Sequence, residues 1–167
     1  MAWSSNPWGD SSTDLASRGV AAPVRVGIDN RTGKVIMGWP HVEQSIARLF
    51  ATRFHERVLR RWLGSFVPHL LGELGTFQNI LRFYTAIATA INLWEPCFRV
   101  EQVRLINRDG TDAQVGVAAQ RLRLGHVNFH VIGVYMPRGH LGDFTPESRR
   151  SILFRGTGTG NWERFEL

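Results

Sequence analysis

A change of hydrophobic period at Pro96 constrains this chain more than any other feature. From Thr76 to Trp94, the residues Phe77, Ile80, Tyr84, Ile87, Ile91 and Trp94 recur three or four apart, the spacing that places side chains on one face of a helix. Pro96 ends that pattern, because a proline pushes the residue before it out of helical geometry. Three segments of strand character follow, Phe98 to Ile106, Ala113 to Leu124 and Val127 to Tyr135. Asn107-Arg108-Asp109-Gly110 joins the first two with an Asp-Gly pair, a strong hairpin signal, and Gly125-His126 offers the corner into the third. A helical block followed by an antiparallel meander predicts an α+β fold, helices packed on a sheet so that each buries its apolar face against the other. The alanines at 86, 88 and 90 predict a close neighbour along the long helix.

The segment before the long helix is denser in signals. Val24, Val26 and Ile28 alternate with polar or small residues, Asp29-Asn30-Arg31-Thr32-Gly33 carries turn chemistry, and Val35 to Met37 can return as a second strand. Val42, Ile46, Leu49 and Phe50 mark a helix over His41 to Thr52, starting just after Pro40; Glu43 falls on its polar, solvated side. Arg57, Arg60 and Arg61 come within one turn if that stretch is helical, and Gly64-Ser65 breaks it. Phe66 to Gly72, with Pro68 inside, reads as one helical turn or a loop packed on the core.

A chain of 167 residues has room for one domain with tails. Residues 1–19 form a polar arm carrying Trp3 and Trp8, 20–136 the folded body, and 137–167 a glycine-rich, extended C-terminal arm in which Phe154, Trp162 and Phe165 are candidate anchors on a neighbour. The net charge of +6 belongs to the body, where Val20 to Met136 holds 14 basic against 8 acidic residues, so no basic tail is present to clamp an anionic membrane or nucleic acid. All basic residues but Lys34 are arginine, the cation favoured at protein interfaces, although a GC-rich genome gives the same skew. The single Cys97 excludes an internal disulfide framework and suits assembly in a reducing cytoplasm. No apolar run is long enough to span a bilayer, and the N-terminus lacks the pattern of an export signal.

Catalytic chemistry finds little support. A glycosidase needs two carboxyl groups facing one sugar cleft, and Glu43, Glu56, Glu73, Glu95 and Asp112 show no spacing that singles out a pair. His126 and His130 have a metal-like spacing, but on a strand they stand about 13 Å apart, too far for one ion. Thr157 and Thr159 alternate with glycines, yet no lysine follows to make a phosphate loop. No catalytic residue, metal or cofactor is expected. Arg57, Arg60, Arg61 and Trp62 could neutralise phosphates and stack bases, but the same cluster fits acidic patches on a protein equally well, and no nucleic-acid-binding pattern accompanies it.

The hairpin Asp29 to Gly33, Gly38 with His41-Val42 and Gln44-Ser45-Ile46, Arg57-Val58-Leu59-Arg60-Arg61 with Gly64-Ser65, and Trp94-Glu95-Pro96 together resemble the phage protein W family, the small baseplate wedge subunits of contractile tails. That family has long been labelled lysozyme-like and is related to a baseplate component of type VI secretion systems. The resemblance covers about Gly27 to Tyr135. It departs at Trp62-Leu63, where an acidic and an aromatic residue are usual, and at Cys97, where the family's Glu-Pro-Arg has its arginine; Arg99 is a candidate substitute. The resemblance implies a virion protein, without enzymatic activity, that sits in a six-fold baseplate at six copies. Its implied partners are the large wedge protein, often in two copies, the tail sheath, and tube or hub proteins. On this reading Arg57, Arg60, Arg61, Gly64, Trp94, Glu95 and Pro96 face the wedge protein. The strand Val127 to Tyr135, through Val127, Phe129, Val131 and Tyr135, becomes the candidate sheet edge or handshake with sheath arms that templates the first sheath ring, by strand addition to unpaired backbone groups, with an ordinary internal strand as the alternative. Trp3, Trp8, Trp162 and Phe165 are then the anchors of the two arms.

Overall fold

The alternating valines fold as expected into a two-stranded antiparallel hairpin, β1 (Val26–Ile28) and β2 (Val35–Met37), with Val26 opposite Met37 and Ile28 opposite Val35. The computed structural model describes residues 24–70, 73, 76–107, 111–113, 126–157 and 161–164. The Asp29 carboxylate closes the hairpin turn, accepting from the Thr32 hydroxyl at 2.5 Å and the Arg31 N–H at 3.2 Å. Helix α1 (Trp39–Ala51) carries Pro40 in its first turn and buries Val42, Ile46, Leu49 and Phe50, the stripe predicted from spacing. Glu43, expected on a solvated face, is buried as well.

After Ala51 the arginine-rich stretch forms a closed loop rather than the turn of helix that would have stacked Arg57, Arg60 and Arg61. Thr52 adopts an extended backbone and its hydroxyl donates to Arg48 O at 2.7 Å, ending α1. The Glu56 carboxylate accepts from the Arg53 N–H at 2.8 Å, a local bond that competes with helix formation. Arg53 and Ser65 then pair as a parallel bridge, with Ser65 N–H donating to Thr52 O at 3.0 Å and Ser65 Oγ to Leu49 O at 3.1 Å. The short turn α2 (Val67–Leu70) follows with Val67, Pro68 and Leu70 buried, matching the apolar segment around Pro68.

Helix α3 (Phe77–Trp94) begins at Thr76, whose hydroxyl accepts from the Asn79 N–H at 3.3 Å, and stops before Pro96. Its buried stripe is Ile80, Phe83, Ile87, Ala90 and Ile91, while Phe77 at the first position stands exposed. Ala90 is the expected small contact.

The four-stranded antiparallel sheet contains β3 (Phe98–Leu105), β4 (His126–Tyr135), β5 (Ser148–Thr157) and β6 (Asn161–Arg164), in that spatial order. Two expectations are corrected here. First, β4 is no edge: it pairs with β3 from Phe129 to Tyr135 and with β5 along all ten residues, and Phe129, Val131 and Tyr135 are buried. Second, much of the expected C-terminal arm is sheet, because β5 pairs fully with β4 and Ile152 and Phe154 enter the core. Phe154 therefore anchors its own fold, meeting the ring of Phe50 edge-on at 4.9 Å. The hairpin after β3 starts where Asp-Gly predicted: Asn107 N–H donates to Thr111 O at 2.8 Å and Ala113 N–H to Leu105 O at 2.9 Å. The rest of the strand expected to Leu124 lies outside the described residues, as do Trp3, Trp8 and Phe165. The core seals helices to sheet with Phe50, Phe83, Phe98, Phe129 and Phe154 all fully buried.

Candidate docking cleft

Trp94, Glu95 and Pro96 lie where α3 turns into β3, and that corner gathers segments distant in sequence. The Trp94 indole N–H donates to Gly64 O at 3.1 Å, tying the end of α3 to the closing residue of the arginine loop. Gly64 is required there, since a Cβ would lie 2.7 Å from the Arg53 carbonyl carbon and from Phe54 N. Glu95, 2% exposed, forms an ion pair with Arg25 beside β1, and its Oε1 lies 3.4 Å from the Cys97 N–H. The guanidinium that meets Glu95 is thus that of Arg25, while Arg99 is exposed. Cys97 is buried, its Sγ 3.6 Å from His140 Nδ1, and burial pushes its thiol pKa up. Pro96 is itself exposed.

The polar side of α1 completes the site. Gln44 clamps the hairpin to the helix: its side-chain N–H donates to Ile28 O at 2.9 Å while its Oε1 accepts from the Asn30 N–H at 3.0 Å. The His41 ring covers Gly27, where a Cβ would lie 2.0 Å from the ring. Burial, with Arg25 nearby, lowers the pKa of His41, which favours the neutral ring at pH 7. Its Nδ1 and Glu95 Oε2 are buried without a hydrogen-bond partner among the described residues.

Between these pieces opens a cleft of about 250 Å³. Arg25, Arg48, Arg57 and Arg60 line it together with Glu95, the one carboxylate among the described residues of its wall, so positive charge dominates there. Leu49, Leu63 and Trp94 supply the apolar part of the wall. Of the sequence-predicted residues, Arg57, Arg60, Trp94 and Glu95 meet here, with Gly64 immediately behind. Arg61 is exposed but outside the lining, Trp162 lies in β6 on the sheet, and the β4 residues are within the sheet and its core.

The sequence expectations do not include Arg25, His41, Gln44 and Arg48 as parts of one site. A signal for three of them existed: 41, 44, 45 and 48 follow helical spacing and form a second, polar stripe on α1. Nothing local marks Arg25, because only the three-dimensional fold brings it to Glu95, 70 residues away.

A profile of the family described as baseplate wedge protein gp25 matches residues 39–127. A chain of the postcontraction baseplate of pyocin R2 superposes with a TM-score of 0.51 at 21% identity, covering 66% of this chain and 98% of that one. A Geobacter sulfurreducens protein whose crystal structure carries the name of a tail lysozyme gives a TM-score of 0.50 at 15% identity, over 70% of this chain and 86% of its own. At these identities the two likenesses establish the fold alone. No curated protein matches the chain significantly.

Proposed function

The chain belongs to the baseplate wedge protein gp25 family, and from that premise we propose that it is a structural wedge subunit whose arginine-lined cleft and loop dock on the large wedge protein of a contractile tail. The observation that carries this reading is the convergence at one corner: Trp94 holds Gly64, Glu95 holds Arg25, and the cleft beside them has four arginines. Such a surface suits an acidic protein partner, because guanidinium groups pair bidentately with carboxylates and tolerate burial at interfaces. No helix among the described residues is long and apolar enough to cross a membrane.

The subunit acts without catalysis on this reading. A glycosidase of the usual kind needs two carboxyl groups across its cleft, whereas among the described residues this cleft is lined by one, Glu95, already paired with Arg25. Purified protein should leave peptidoglycan suspensions turbid; clearing that Glu95→Gln abolishes would establish a hydrolase instead.

Six copies surround the tail tube, each joined to two copies of the large wedge protein, and the sheet receives the first sheath ring. With β4 internal, strand addition falls to an end of the sheet, which among the described residues is β3 or β6. Co-expression of the full chain with the large wedge protein from the same gene cluster should yield a complex stable through size exclusion. Failure to co-purify with every length of that partner would overturn the reading.

A further inference from the structure

The guanidinium groups of the cleft are not equivalent. Arg25 is committed to Glu95, and Arg57 donates to Thr52 Oγ1 at 3.4 Å. The side chains of Arg48, on α1, and Arg60, on the closed loop, make no hydrogen bond or ion pair with any described residue, although both line the same opening. Two cations without a counter-charge among the described residues, on separate segments of one cleft, favour the entry of an anion. The volume of the cleft, about 250 Å³, is enough to take a side chain. Val58 and Leu59, sequence neighbours of both loop arginines, are 82% and 90% exposed, an apolar tip beside the charged opening.

We propose that the cleft receives an aspartate or glutamate side chain from an acidic, apolar-flanked segment of the large wedge protein, gripped by Arg48 and Arg60 while Val58 and Leu59 cover its apolar neighbours. This rests on the wedge reading above and sharpens it. Arg48 and Arg60 grip the partner, whereas Trp94 and Glu95 position the loop and hairpin around them. A carboxylate satisfies both forks at once, and its desolvation under an apolar cover strengthens each pair.

The test is a titration of the full chain against the full-length large wedge protein at low and high salt. It uses the wild type, Arg48→Ala, Arg60→Ala, the double change to glutamate, and Arg82→Ala as a control outside the cleft. Arg48 and Arg60 are exposed, so each variant should keep the wild-type melting curve. Each alanine should weaken binding roughly 30-fold or more, the double glutamate should abolish it, and the control should bind as the wild type does. Wild-type binding that also weakens steeply with salt supports the proposal. If the wild type binds and the cleft variants bind equally well, the carboxylate grip is wrong and the wedge reading stands. If the wild type does not bind, the wedge reading fails and takes the proposal with it. Retention on duplex DNA that the cleft variants lose, with wedge binding intact, would make the cleft a phosphate site and overturn the proposal.

Discussion

Glu95 is the middle residue of Trp94-Glu95-Pro96, yet its side chain is turned into the fold. Its carboxylate is almost wholly buried and neutralises Arg25, so Glu95→Gln leaves a partly buried guanidinium without its counter-charge. We expect a loss of about 2–3 kcal/mol, read as a lower urea midpoint at unchanged slope. His41 and His130 set the acid limb of stability. Burial lowers both pKa values below the ordinary 6.5, so the unfolded chain takes up protons first as the pH falls. Their contribution is complete above about pH 6.5 and shrinks below it; Asp29 and Asp143, also lowered, add a separate loss only toward and below 3.8. Urea midpoints at pH 7.5 and 5.5 should therefore differ, and the difference should narrow in His41→Gln/His130→Gln. An unchanged difference would show that neither ring titrates as described.

At the scale of elements, the closed loop is held by its ends and by one indole. Gly64→Ala forces a Cβ onto the backbone of Arg53 and Phe54, and should cost about 1–3 kcal/mol, a fall of several degrees in melting temperature. Trp94→Phe, which keeps the ring and loses the bond to Gly64 O, should cost about 1 kcal/mol. The long helix, the hairpin and the buried face of α1 were legible because apolar spacing reports directly on which face is covered. The arginine loop was not, because a run such as Arg57 to Leu63 is compatible with a helix, and what prevents one is the bridge between Arg53 and Ser65. Strand β5 is illegible for another reason. Its buried pair Ile152 and Phe154 is short, and the prolines and glycines around it mimic a loop.

The whole molecule is an α+β body whose sheet is completed from its C-terminal segment, so the fold does not end at Met136. Phe154→Ala should destabilise it by about 3–5 kcal/mol, since that ring is fully buried against Phe50. Removal of residues 148–167 should leave no cooperative unfolding transition, because β4 would keep only β3 as a partner and the core would lose Ile152 and Phe154. The candidate site was half visible in the sequence. The two motif halves and the polar stripe of His41, Gln44 and Arg48 on α1 are local patterns, whereas their meeting through Trp94 and Gly64, and the recruitment of Arg25, are products of tertiary packing that no local pattern encodes. We propose that the corner where these segments meet is the face turned to the large wedge protein, and hydrogen exchange of the full chain, alone and in complex with that protein, reads this out. Slowed exchange concentrated in residues 53–65 and the first turns of α1 is the predicted result, and protection confined to the sheet, with that loop unchanged, would contradict it.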